Sequence, residues 1–200
     1  MQTLFCAMPL LKDHNRADDP DLEYTKWQWE RFERVRQDLA LRGIHVPYFH
    51  AANTAGAMFF PPSRLDLARV GLGLYGLYPD QRRPIDLLPA LSLKTKVAFV
   101  KRVPAGSALS YDSTYVTWKE TSIAVLPIGY ADGLARSMSN KGKVLIQGTR
   151  CPIVGRVTMD HTLVEVGDLP VHIGDEVILI GSDGQKEITA DDWATWMGTI

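Results

Sequence analysis

The sequence predicts an α/β segment followed by an all-β segment, and three observations carry that reading. A helical repeat over residues 22–42 is followed by a short extended run over 44–50, an order that suits a β/α barrel, where strand ends carry the site. A connector holding Pro79, Pro84 and Pro89 among Asp80, Gln81, Arg82, Arg83 and Asp86 then marks a boundary near residues 80 to 90. Beyond it, short strand-like runs separated by glycines replace the helix and strand alternation. The chain therefore divides into 1–85, an α/β segment whose order suits part of a (β/α)8 barrel, and 86–200, a β-strand-rich domain.

Taken in order, residues 1 to 20 show no period, and Asp18-Asp19-Pro20-Asp21 reads as a turn into a helix. Trp29, Phe32, Val35 and Leu39 recur at three and four and form the expected apolar stripe, with Glu30, Arg31, Glu33, Arg34 and Arg36 opposite. Gly43 stops the helix. The run 44–50 is expected to be a strand delivering His50 and Asn53 into a loop closed by Pro61-Pro62. Ser63-Arg64-Leu65-Asp66 has capping-box spacing, and 69–75 reads as a buried strand. In the second segment strands are expected at 93–103, 121–127, 143–146, 151–157, 162–166 and 176–180. Thr189-Ala190-Asp191-Asp192 is a second capping box and starts a helix that the chain scarcely completes.

Bulk properties narrow the function. With 46% hydrophobic and 22% charged residues the chain is ordinary globular material, and a net charge of -1 disfavours a nucleic-acid backbone or an anionic membrane as partner. A small-molecule substrate is expected. Cys6 and Cys151 lie far apart without metal-ligand spacing, so a reduced pair is favoured over a disulfide and no metal site is predicted. The start has no basic region before its apolar residues and a proline interrupts it, so neither a signal peptide nor a transmembrane helix is expected, and the location is cytoplasmic.

The stretch from Leu109 to Asp160 concentrates polar and aromatic groups at strand edges: Leu109-Ser110-Tyr111-Asp112-Ser113-Thr114-Tyr115, then Leu126-Pro127-Ile128-Gly129-Tyr130-Ala131-Asp132-Gly133, then Gly155-Arg156-Val157-Thr158-Met159-Asp160. These motifs, in this order and spacing, resemble the carboxy-terminal half of alanine racemase. The resemblance extends to His50-Ala51-Ala52-Asn53-Thr54-Ala55, to Arg69-Val70-Gly71-Leu72-Gly73-Leu74-Tyr75-Gly76, and to Val171-His172-Ile173-Gly174-Asp175-Glu176-Val177. Five motifs in order over about three quarters of the chain make it specific.

The resemblance implies a pyridoxal 5'-phosphate enzyme that interconverts L- and D-alanine for peptidoglycan. The family uses two bases, a barrel lysine and a tyrosine, and works as a head-to-tail homodimer with shared active sites. Tyr111 matches the tyrosine. A free phenol has a pKa of about 10, so that role needs a site favouring phenolate; read alone, Tyr111 is a strand-end tyrosine. Arg69 matches the arginine facing the cofactor's pyridine nitrogen, where a fixed cation keeps that nitrogen unprotonated and favours returning the proton over transamination. Gly71 and Leu72 fall where backbone amides meet the phosphate, and Thr54 where a hydroxyl does. His50 matches a histidine held beside the arginine. By residue type alone, Arg69 is a strand-end arginine in a structural ion pair and His50 a structural histidine. Met159 matches the residue whose backbone amide binds the substrate carboxylate, in a loop Asp160 is expected to position. Tyr130, Arg136 and Arg156 match residues lining the substrate entrance.

The pattern also breaks. The family is nearly twice as long, and none of the lysines here lies in the motif of the cofactor lysine, so the chain alone is expected to be inactive. The barrel remnant is expected to be the less sound folding unit, with its apolar stripe uncovered. Leu4 stands where the family has a histidine, and Asp112 where it has a glycine. Two other readings remain: a serine or broad-specificity amino-acid racemase of the same fold, and a non-catalytic dimerisation or binding module.

Overall fold

The computed structural model describes residues 21–199, and the chain forms two compact units with the boundary between Ala90 and Leu91. The boundary falls five residues past the expected division, after the last proline of the connector. Leu4 and Cys6 lie outside the described residues.

In the first unit, α1 (Glu23–Leu41) begins where the Asp21 carboxylate accepts the Glu23 amide and ends at Gly43. The ending is a Schellman turn: Gly43, at φ 69°, donates to the Ala40 carbonyl, and Ile44 donates to Leu39. The buried face is Thr25, Gln28 and Phe32, rotated from the expected stripe, and Val35 is 51% exposed. An aromatic cluster sets this orientation. Trp29 stacks on Phe32 at 5.5 Å and meets Phe60 edge-on, while Phe32 meets Phe49.

Two expected strands do not form. Across 44–50 only His50 pairs, through an isolated parallel bridge to Leu67. Across 69–75 the chain instead makes a 3₁₀ turn, Leu72–Tyr75, closed by Gly76 at φ 79°, with Leu72, Leu74 and Tyr75 exposed. A parallel barrel strand needs neighbours to accept its amides, and among the described residues this unit has no strand. The backbone therefore satisfies itself locally. Ser63 likewise caps no helix. Its hydroxyl donates to the Phe60 carbonyl inside a 3₁₀ turn (Pro61–Arg64), and Asp66 accepts the Phe49 amide. A helix not expected, α2 (Thr54–Phe59), is capped by Asn53, whose side chain accepts the Gly56 amide at 2.8 Å.

The second unit is built from antiparallel sheets. One sheet runs β1 (Leu93–Lys96), β9 (Glu176–Asp183), β6 (Lys143–Ile146) and β7 (Thr149–Pro152), with β10 (Lys186–Ile188) also on β9. A second runs β2 (Phe99–Val103), β5 (Thr121–Leu126) and β8 (Thr162–Gly167), and β3 (Ala108–Leu109) pairs with β4 (Tyr115–Val116). The expected strand 93–103 is two strands because the chain changes sheets: the Val97 amide bonds Asp175, the next amide bonds Val125. The expected strand 151–157 stops at Pro152, after which Ile153 bridges Val164.

Between the sheets lies one apolar core, including Leu126, Val144, Leu145, Ile146, Val164, Val177, Leu179 and Ile188, all buried. Burial of this kind is the main stabilising term. Against it packs α3 (Ala190–Met197), which completes two turns, more than the sequence suggested. Its capping box forms as expected: Thr189 Oγ1 accepts the Asp192 amide at 3.0 Å and Asp192 accepts the Thr189 amide at 2.9 Å. The Trp193 indole donates to the Leu179 carbonyl, tying the helix to the sheet.

Candidate active site

Each unit carries one group of the expected site residues. In the first unit the His50 bridge to Leu67 and the Arg69 amide bond to Ala52 bring residues nineteen apart together. Arg69 Nη1 lies 2.6 Å from His50 Nδ1. A guanidinium only donates, so this contact makes Nδ1 the acceptor and places the neutral ring's proton on Nε2. Burial, and then the Arg69 charge, hold the imidazole below its ordinary value of 6.5. The pair is thus a permanent cation on a neutral ring.

Beside it, the Gly71 amide donates to Thr54 Oγ1 at 3.1 Å, which leaves that hydroxyl's own proton free to be donated elsewhere. A side chain at Gly71 would meet nothing within 4 Å, so the main chain there is open to a ligand. Leu72 starts the 3₁₀ turn, and the first amides of any helical turn lack partners within it. The His50 to Arg69 and Thr54 to Gly71 contacts thus fall on one short segment, which Leu72 continues.

In the second unit three consecutive amides tie the third motif loop to the first and to the turn at Ser139 and Asn140. Gly155 N–H donates to Asn140 Oδ1 at 2.6 Å, Arg156 N–H to Ser110 Oγ at 3.0 Å, and Val157 N–H to Ser139 Oγ at 3.0 Å. Ser110 Oγ also donates to the Arg156 carbonyl at 3.0 Å. Gly155, at φ 73°, allows this approach, since a Cβ there would lie 2.5 Å from Ser110 Cβ. The Tyr130 and Ala131 amides donate to the Thr158 and Met159 carbonyls, both at 2.9 Å, and Gly129 is required where those carbonyls pass.

Tyr111 emerges from the first of these loops with 71% exposure and lines a cleft of about 300 Å³ with Ser110, Thr158, His161 and Leu163. Asp112, in the left-handed region at φ 59° and ψ 14°, pairs its carboxylate with Arg156 Nη2 at 2.6 Å. Arg136 sits over the Tyr130 ring at 5.9 Å. Met159 is exposed, and among the described residues its amide donates to no protein acceptor. Its loop is closed by Thr158, whose amide and hydroxyl both donate to the His161 carbonyl and whose Oγ1 accepts the His161 amide. Within the same loop the Asp160 carboxylate bonds His161 Nδ1 at 2.8 Å.

Residues 90–200 match the family described as alanine racemase, C-terminal domain, and residues 7–79 match alanine racemase, N-terminal domain. The chain belongs to the alanine racemase family. It is 50% identical over 189 residues to the alanine racemase of Carboxydothermus hydrogenoformans, covering 92% of this chain and 51% of that protein. To that of Symbiobacterium thermophilum it is 48% identical over 187 residues, covering 92% and 50%. The chain spans about half the length of the curated relatives it matches.

Among solved structures, the alanine racemase of Bacillus anthracis with bound L-Ala-P superposes with a TM-score of 0.86 at 39% identity, covering 92% of this chain and 48% of that one. The alanine racemase of Bartonella henselae with covalently bound pyridoxal phosphate gives 0.79 at 30% identity, covering 93% and 50%. The fold is therefore that of an alanine racemase, part of its barrel followed by the β-rich domain.

Sequence reasoning missed Ser139, Asn140 and Thr158, whose side chains satisfy backbone groups, and His161. Asn140, at φ 57° before Lys141-Gly142, carried a turn signal that pointed to its backbone and not to its amide acceptor.

Proposed function

We propose that this chain belongs to a pyridoxal-phosphate-dependent alanine racemase in which the first unit flanks the cofactor and the second supplies the tyrosine base and the substrate loop. The observation that carries this reading is the Arg69 to His50 pair beside the open Gly71 main chain. The residues present fit the cofactor. Thr54 and the Leu72 amide are donors for its phosphate, and Arg69 is a fixed donor that cannot protonate a ring nitrogen. When bound, pyridoxal phosphate supplies an electron-withdrawing ring that lowers the barrier to removing an amino acid's α-proton.

The chain's own groups would do the rest. Tyr111 takes or returns the α-proton on one face as a general base or acid, its ring aimed by the Ser110 to Arg156 bonds. The Met159 amide binds the substrate carboxylate. Tyr130, Arg136 and Arg156 line the approach to it. In a head-to-tail homodimer Tyr111 and Met159 would serve the partner's cofactor. Alanine is the proposed substrate and D-alanine for peptidoglycan the proposed use. Among the described residues no helix is long and apolar enough to cross a membrane, and the proposed location is cytoplasmic.

The test joins this chain to the part of the Carboxydothermus hydrogenoformans racemase that it does not span, adds pyridoxal phosphate, and measures D-alanine formed from L-alanine. Turnover is expected, and Tyr111→Phe is expected to lower it by about 10²- to 10⁴-fold. A folded, cofactor-loaded protein that leaves alanine unchanged would overturn the reading, and turnover of serine in preference to alanine would replace its substrate. The 200-residue chain alone is expected to show no turnover.

A further inference from the structure

We propose that Asp112 is a positioning residue for Tyr111, acting with Ser110 as a two-point clamp on Arg156. The proposal rests on reading Tyr111 as the base. Tyr111 is mostly exposed, so packing does little to aim its ring; the backbone turn does it. That turn is strained. Ser110 has φ 63° and ψ −179°, a region that glycine alone occupies readily, and Asp112 and Ser113 follow at φ 59° and 51°.

Both residues flanking Tyr111 are held by one partner. Ser110 Oγ exchanges two hydrogen bonds with the Arg156 backbone, and the Asp112 carboxylate takes the Arg156 side chain at 2.6 Å. Opening the turn breaks both points at once. Glycine, which the family pattern has after the tyrosine, would accept the left-handed backbone but would have no carboxylate with which to clamp. Aspartate tolerates the same backbone less well and adds the charge contact. The Arg156 charge is thereby tied to the turn.

The test follows hydrogen exchange at the Arg156 amide, the Ser110-bonded group, in the full 200-residue chain by NMR. Asp112→Asn keeps tolerance of the left-handed backbone and removes the charge. In that variant Arg156 exchange should rise about two- to fivefold, the range an exposed ion pair carries. Raising the ionic strength should do the same in the unmodified chain and leave the variant unchanged, and Asp112→Glu should restore part of the protection. The thermal midpoint of the second unit should not move. Equal Arg156 exchange with and without the charge at low salt would overturn the clamp, as would a uniform acceleration of all amides in the unit. The measurement needs no turnover, so the clamp can fail while the racemase reading stands. A cofactor-loaded but inactive joined protein with a protected Arg156 amide would remove the racemase reading and leave the clamp.

Discussion

The two units of this chain obey the same folding rules with opposite results. The second closes two sheets over a shared core in which Leu126, Val144, Leu145 and Ile146 lose essentially all contact with water. The first buries Phe32, Val46, Ala51, Ala52, Ala55 and Phe60, and leaves Leu41, Leu74 and Leu88 mostly in solvent. One unit holds its own hydrophobic effect; the other presents apolar surface that only neighbours could cover. A site residue's precision then depends on its unit. The second unit's loops are welded through backbone amides to a packed scaffold, whereas the first unit's site residues rest on short turns and on the His50 to Arg69 contact.

Equal truncations should break that symmetry most visibly. Leu145→Ala in the packed core should cost about 2–5 kcal/mol, transfer and cavity terms together. Leu88→Ala, at a residue 86% exposed, should stay within about 0.5 kcal/mol. Urea unfolding followed through resolved amide signals of each unit reads both. Comparable losses would mean that Leu88 is covered in solution and that the first unit is better packed than its surface shows.

The glycines sharpen the contrast at the site itself. Gly129→Ala puts a methyl group into the Thr158 and Met159 carbonyls and should cost about 1–3 kcal/mol, with loss of the Tyr130 and Ala131 amide protection. Gly71→Ala meets open space at a negative φ of −109° and should leave stability nearly unchanged, while weakening pyridoxal phosphate binding in the joined racemase. If Gly71→Ala bound the cofactor as well as the unmodified protein, that main chain would not be the phosphate contact.

What the sequence disclosed follows the same division. Strands at 121–126, 143–146 and 162–167 and the Thr189 cap lay close to where patterning placed them, because each is set by alternation or local hydrogen bonding that the unit itself satisfies. The runs 44–50 and 69–75 read as strands and are not, because strand identity in a parallel barrel is conferred by partners. The α1 stripe missed Thr25 and Gln28 because a pattern of apolar residues does not show which way an aromatic cluster turns the helix. Of the proposed site residues, Tyr111, Arg69 and Gly71 were legible only as a family pattern. The side chains that hold backbone amides, Ser139, Asn140 and Thr158, were not, since a serine or asparagine in a loop has the same letter whether it faces water or an amide.

Caps offer a smaller and more local comparison. Thr189→Ala and Asn53→Ala each remove one side-chain acceptor from a helix start and should each cost about 1 kcal/mol. In the second unit that loss should appear as a shift of the whole cooperative transition, since Trp193 ties α3 to the core. In the first it should appear as faster exchange at Gly56 alone. A shift of the entire first unit with Asn53→Ala would show it to be cooperative.

The smallest effect is electrostatic and belongs to one ring. Burial and the Arg69 charge depress His50, so the folded first unit binds its proton less readily than the unfolded chain does. The unfolded state therefore gains protons first as pH falls, and the stability His50 contributes is present above its ordinary value of 6.5 and is lost progressively as pH drops below it toward the folded value. Exchange at the Arg69 amide, which bonds the Ala52 carbonyl, reports this opening once corrected for the intrinsic rate. Protection should fall as pH drops below 6.5, and His50→Gln should flatten the dependence. An unchanged slope in that variant would assign the acid sensitivity to other groups. A flat profile in the unmodified chain would show that the ring already reaches water and that Arg69 is held by the backbone around Ala52 instead of by the imidazole.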